Sequence, residues 1–334
     1  MRLIRPSYEI IVQGPGLQGI YDIIELCGKI SYKSTPKGGE TARKFVEARI
    51  KEGHGAVLEF GTVYLKFKYQ NPVSFDFEEY DWYASDAIDF YQRNPYSRVA
   101  ETDDYFYITT NYRVLVENDR LDDLKYLCEP TEYHQRRYAV KFITDIGLGR
   151  DFLRHRVMSM VQESTRYVNY MKEKFGSELT FVIPPWISEE ELATGEGIQW
   201  WDGDWVDINK MKIINGFDCA EHADIDVWLD TLLACEMGYQ TLINYEWAAQ
   251  EARTILPLAT KTEFVLCGFW DAWVHFFCLR SDIAATGKAH PMSIELANPL
   301  RDEFIRRKYI TKENLKHDTM AGFDVCAADM VLKP

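Results

Sequence analysis

The hydrophobic period of this chain switches between helical and alternating spacing without settling into a rhythm, and that irregularity restricts the fold more than any single residue does. Residues 17–32 and 40–52 carry apolar side chains at helical spacing, divided by Gly38-Gly39, and Gly53 stops the second pattern. From Thr62 to Tyr69 the sequence TVYLKFKY alternates and predicts a strand. Further strands are expected at Tyr138–Thr144, at residues 180–184 and at Glu263–Cys267. Helices are expected at residues 148–158, 221–249, 270–280 and 293–308, with a break at Pro257. Strands and helices intermingle without a βαβ order, so the fold class is α+β.

Two stretches resist this reading. Residues 70–135 combine acids with Phe, Tyr and Trp, and are too aromatic for a free linker. Residues 187–215 read as an acidic, loop-rich stretch with three Trp. Aromatic residues make up 14% of the chain, which suits a large core, a subunit interface or a ring-stacking site.

The formal net charge of −14 disfavours nucleic-acid binding over the whole surface, because phosphates need a basic face. The seven cysteines are far apart, with no CxxC pair, which argues against a disulfide framework or zinc site and fits a reducing compartment. No signal-peptide pattern and no long uncharged apolar run is present, so a soluble cytoplasmic protein is expected.

Against that acidic background, Arg150, Arg154, His155, Arg156 and Arg166 crowd into seventeen positions together with Ser164. Arginine forks and a hydroxyl suit phosphate groups; a solvated basic face is the ordinary alternative. If the segment is helical, Arg150 and Arg154 share a face while Arg154 and Arg156 diverge, which favours two ligands or one long one. Three other features are singled out. Gly53-His54 lies at a helix-to-strand junction. Arg253 lies in EARTILPL. His275 and Arg280 lie in an apolar helix, where the arginine either pairs with an acid such as Asp282 or faces an anionic ligand. No GxGxxG, P-loop, HExxH or GxSxG motif occurs, and the scattered histidines give no support for a metal.

The string RHRVMSMVQESTRY, residues 154–167, resembles the signature of flavin-dependent thymidylate synthases: Arg-His-Arg, seven variable residues, then Ser-x-Arg-Tyr. GHGAVLEF, KISY, EARTILPL and HFFCLRSD resemble further elements of that family, in the family's order. The resemblance covers residues 17–69, 137–184 and 235–308, so residues 70–136 and 185–220 read as insertions in one family-type domain over 1–334, with mixed helices around a central antiparallel sheet. It implies a homotetramer with FAD between subunits, converting dUMP to dTMP with methylenetetrahydrofolate and NADPH. Under it, His54, Arg154, His155, Arg156, Gln162 and His275 would contact the flavin. Asp151, Arg154, Gln162, Glu163, Ser164, Thr165, Arg166 and Arg253 would hold dUMP. Arg280 would bind the uracil ring and stabilise negative charge there, the catalytic role. The flavin would supply the hydride.

Several positions depart from the family pattern. Val161-Gln162 stand where Asn-Glu is frequent, Asp151 where Gln is frequent, and Asp271 where a flavin-contacting Arg is frequent. An acid beside an anionic nucleotide needs a partner, and Arg150 is adjacent to Asp151. Three alternatives stay open: hydroxymethylation of dUMP or dCMP, a non-catalytic nucleotide- or flavin-binding protein, and nucleic-acid binding through the 150–166 cluster.

Overall fold

A computed structural model describes residues 1–68, 82–172, 178–188, 224–284 and 287–315. In chain order the regular elements are β1 (Arg2–Ile4), β2 (Ser7–Ile11), α1 (Gly16–Ile30), α2 (Gly39–Lys51), β3 (Thr62–Lys68), α3 (Trp82–Arg93), β4 (Arg98–Glu101), β5 (Tyr105–Asn111), α4 (Tyr112–Glu117), β6 (Arg137–Asp145), α5 (Ile146–Phe152), β7 (Ser159–Gln162), β8 (Thr180–Val182), α6 (Asp224–Asn244), α7 (Ala249–Ala252), β9 (Lys261–Phe269), α8 (Trp270–Arg280) and α9 (Pro291–Arg306). The fold is α+β, as the irregular periodicity requires. The beginning of the aromatic stretch at 70–81 and most of the acidic stretch, 189–220, lie outside the described residues.

The chain divides into two compact units: residues 6–164 with 262–334, and residues 1–5 with 165–261. In the larger unit a sheet runs in the order β2-β6-β9-β7. Its strands alternate as a two-faced sheet must. Ala139, Val265 and Cys267 face α1, packing against Ile23, Cys27 and Phe60. Phe142 and Phe264, one position out of phase, turn to the other face and join Phe152, Trp273 and Phe276. Phe142, Phe152, Phe264, Trp273, Phe276, Phe277 and Phe304 are all fully buried, so much of the aromatic excess is core.

A second sheet of the same unit, β3-β5-β4, is antiparallel and uses the part of the 70–136 stretch that is described. It packs with α1, α3 and α4 through residues such as Leu65, Phe67, Tyr91 and Ile108. In the smaller unit β1 and β8 pair in parallel, which the antiparallel expectation does not include. There α6 buries Leu232 and Tyr239 against Val168, Tyr170 and Phe181.

One helix is shorter than its sequence pattern. Residues 148–158 are expected to be helical, but α5 ends at Phe152 and Leu153 caps it. Phe152 is locked edge-on to Phe142 and Phe276, and Ser159–Gln162 are drawn into pairing with β9. The residues between form consecutive turns, with bonds such as His155 N to Phe152 O and Met158 N to His155 O. Arg150 and Arg154 therefore do not share a helix face. The strands at Ser7–Ile11 and Ser159–Gln162 were not expected; they are too short to show a period.

Candidate active site

The centre of the site grows from the abrupt end of β6. Asp145 caps α5, its carboxylate accepting from Leu148 N at 2.7 Å. The helix can lie close to the sheet because of Gly149: a Cβ there would stand 3.3 Å from both Gln162 Nε2 and Thr262 Cγ2. After Phe152 the turns reverse the chain and drop His155 inward, leaving it 5% exposed, while Val157 stays 76% exposed.

Arg280, the last residue of α8, meets His155 there. Its Nε donates to His155 Nε2 at 3.0 Å, and an Nη donates to the Asp151 carbonyl at 2.8 Å. The His155 ring also packs 5.0 Å from Phe276 and 5.8 Å from His275, centroid to centroid. An arginine can only donate, so His155 Nε2 accepts and the ring is the neutral Nδ1–H tautomer. Burial, with Arg280 and His275 adding to it, pushes the imidazole down to about 3. Burial also lowers the Arg280 guanidinium from its ordinary value, opposed by the Asp151 carboxylate. The Ser293 hydroxyl donates to the Arg280 carbonyl and fixes the end of the helix. Arg280 does not pair with Asp282, which binds Arg301 instead.

The remaining residues fall into separate groups. Asp151 forms its ion pair with Arg154, at 3.3 Å, rather than with the adjacent Arg150. Gln162 donates to Thr262 Oγ1 at 3.0 Å. Glu163 is buried, and its amide binds the Glu263 carbonyl at 2.7 Å. The Ser164 amide binds the Ser31 carbonyl at 3.1 Å, so the KISY segment does touch the basic segment. Beside that contact lies a cleft of about 590 Å³ whose charged lining is balanced: Lys29, Lys33 and Lys141 against Glu9, Glu163 and Glu263. His54 is not drawn into the His155 cluster by any of these bonds. Gly53, at φ +70°, closes a Schellman turn on α2, and the His54 ring sits with Arg49 and Glu52 at 3.4 and 3.3 Å. Arg156 lies exposed in the turn that carries His155. In the smaller unit, Arg253 donates to Thr165 Oγ1 at 3.1 Å, and Arg166 lies 5.3 Å from the Tyr167 ring.

Asp271, where the resemblance expects an arginine, lies in the first turn of its helix, accepts from the adjacent Ala272 N and lies 3.6 Å from Arg98. Thr262 and the ion pair of Lys141 with Glu263 at 2.8 Å were not anticipated. Thr262 lies between Lys261 and Glu263 at the start of β9. Its period puts it on the face of Phe264, where a hydroxyl needs a partner such as Gln162.

Comparison with known proteins gives a consistent kinship. The chain is 26% identical over 168 residues to the flavin-dependent thymidylate synthase of Haloarcula marismortui, covering 50% of this chain and 63% of that protein. It is 28% identical over 155 residues to the enzyme of the same name from Mycolicibacterium gilvum, covering 45% and 52%. The chain thus spans less than two thirds of the length of these relatives. Among solved structures, a UMP/dUMP methylase PolB from Streptomyces cacaoi bound with 5-Br dUMP is 13% identical, with coverage of 92% and 93% and a TM-score of 0.39. Thymidylate synthase X from Helicobacter pylori, solved with FAD and dUMP, is 20% identical, with coverage of 54% and 74% and a TM-score of 0.34. Scores this low carry no argument about shape. Residues 130–304, more than half of the chain and the stretch that holds the His155–Arg280 contact, match the family model described as Thymidylate synthase complementing protein, and the chain belongs to that family.

Proposed function

We propose that this protein is a flavin-dependent thymidylate synthase that methylates dUMP to dTMP, with methylenetetrahydrofolate as carbon donor and NADPH as reductant. The observation that carries the reading is the contact of Arg280 with His155 and the Asp151 carbonyl. This arginine is half-buried in an apolar surround and hydrogen-bonded to two neutral acceptors, so its charge is only partly offset, by the nearby Asp151 carboxylate, and is available to a ligand. Uracil C5 becomes nucleophilic when negative charge builds on the ring, and a fixed guanidinium stabilises that charge without reorganising.

The donor set suits FAD. Arg154 is 74% exposed and Arg156 is exposed, so both guanidiniums are open to a cofactor pyrophosphate. Bound FAD supplies hydride transfer. The protein's own residues orient and polarise: Arg280 at the uracil, His155 holding Arg280, and Arg154, with Asp151 beside it, at the anionic edge. Gln162, Glu163 and Ser164 in the larger unit, and Thr165, Arg166 and Arg253 in the smaller one, are assigned to dUMP. His54 and His275 are assigned to the flavin. The family's assembly, a homotetramer with FAD between subunits, belongs to the same proposal, as does a cytoplasmic location. Among the described residues no helix is long and apolar enough to cross a membrane.

The test is anaerobic reduction of the purified protein, addition of dUMP and methylenetetrahydrofolate, and mass analysis of the nucleotide. A gain of one methyl group is expected. A hydroxymethyl product, or NADPH oxidation with no change in the nucleotide, sinks the proposal.

A further inference from the structure

The larger unit has a second cleft, of about 410 Å³, lined from β2, the start of α1, the loop before β6 and the turn after α9. Its charge runs against the chain. Four cations, Arg136, Arg137, Arg307 and Lys308, face a single carboxylate, Glu129, in a protein whose net charge is −14. That carboxylate is engaged: Glu129 Oε1 accepts from Gly16 N at 3.0 Å.

The two central guanidiniums are half-buried and their hydrogen bonds go to neutral oxygens. Arg136 donates to the Pro130 carbonyl at 3.2 Å. Arg137 donates to the Glu59 carbonyl, to Thr62 Oγ1 and to Ser159 Oγ. Such bonds hold the side chains in place, and among the described residues no carboxylate pairs with either guanidinium, which is costly for adjacent half-buried cations. Arg307 shares the Glu303 carboxylate with Arg306, so positive charge remains in excess there too.

Lys308 adds an independent sign. It closes a Schellman turn on α9, with Lys308 N bonded to Ile305 O and Tyr309 N to Phe304 O, at φ +59°. The matching position after α2 is Gly53. Glycine adopts this conformation with less strain, so a lysine costs folding energy at a position that lines the cleft.

We infer that this cleft binds a small phosphorylated anion with at least two phosphate groups. Guanidinium forks match phosphate oxygens, and the volume suits a small molecule. The His155–Arg280 cluster does not line this cleft, and the inference does not depend on the reaction proposed above.

The experiment is calorimetric titration of the whole protein with inorganic pyrophosphate and, separately, with uridine diphosphate, at about physiological ionic strength. Saturable binding is expected for both probes. Equal affinities assign the ligand to its phosphates, and tighter uridine diphosphate assigns it to a nucleotide. Arg136→Gln removes the charge while keeping a polar side chain, and is expected to weaken binding about tenfold or more. Lys308→Gly suits the left-handed turn, so it folds at least as well as the parent, and is expected to weaken binding several-fold, roughly the loss of one charged contact. Arg43→Gln, which removes an exposed cation that pairs with Glu47 and does not line the cleft, leaves pyrophosphate binding unchanged. The inference is overturned if the folded parent shows no saturable binding, or if folded Arg136→Gln and Lys308→Gly both bind pyrophosphate as tightly as the parent.

Discussion

Arg280 and Arg154 both donate toward Asp151, yet they stand in opposite environments. Arg280 is half-buried and fixed by two hydrogen bonds, to His155 Nε2 and to the Asp151 carbonyl. Arg154 pairs with the Asp151 carboxylate at 3.3 Å with 74% of its side chain exposed. The first is set in one orientation before any ligand arrives. The second spends its charge in water, where an ion pair is worth about 0–1 kcal/mol. Orientation matters most where charge develops during a reaction, and adaptability suffices where a ligand only needs holding. Under the proposed function, Arg280 would therefore carry the chemistry and Arg154 the retention of the cofactor.

The sharpest way to break that division is Arg280→Ala. Turnover should fall about 10²–10³-fold, the typical loss on removing one fixed donor to developing charge. Bound flavin, read by absorbance of the purified protein, should remain. Losing Arg280 leaves an unpaired His155 nitrogen, so a stability cost of about 1–3 kcal/mol is also expected. Arg280→Lys should not restore turnover, because one ammonium cannot reproduce the two-point fork. Parental turnover in either variant removes Arg280 from the chemistry.

Acid titration probes the buried side next. His155 is held near 3 in the folded protein, against an ordinary value of 6.5. Between these values the unfolded chain binds a proton that the folded chain refuses. Stability is therefore intact above about pH 6.5 and falls as pH drops toward 3, by up to about 1.4 kcal/mol per unit. His155→Gln offers Arg280 an amide oxygen without a titrating ring. Chemical denaturation across this range should show a shallower slope in the variant, and an unchanged slope would clear His155 of the effect.

On the exposed side, Arg154→Ala should leave stability within about 1 kcal/mol of the parent, since only a solvated pair is lost. Flavin retention should weaken about tenfold, the worth of one charge-assisted contact. A fully yellow protein after dialysis would place the flavin elsewhere.

How much of this was legible in the sequence follows the same division. The α+β class and most helices came from periodicity, because burial of one face imposes it. Gly53 ended α2 as expected, since a left-handed position favours glycine. The basic segment was recognisable as a string, but its shape was not. Apolar spacing continued the helix through residue 158, whereas Phe152 ended it by packing into an aromatic core assembled from β6, β9 and α8. That turn is what places His155 against Arg280, a contact spanning 125 positions. Local pattern has no access to such pairings. The same holds for Gln162 with Thr262 and for the four cations of the second cleft, two adjacent pairs from segments far apart in the chain.

The smallest effect expected tests whether holding and chemistry separate in the other unit as well. Thr165 Oγ1 accepts from Arg253 at 3.1 Å in an exposed setting, so Thr165→Val removes one acceptor and little folding energy, under about 1 kcal/mol. If Arg253 serves only to hold the nucleotide phosphate, freeing its Nη alters ground state and transition state alike. KM for dUMP should then rise about two- to five-fold with kcat unchanged, the mark of a contact made equally in both. A fall in kcat at constant KM would mean that Arg253 needs a fixed orientation as Arg280 does. The contrast between buried, oriented arginines and exposed, adaptable ones would then fail as a guide to their roles.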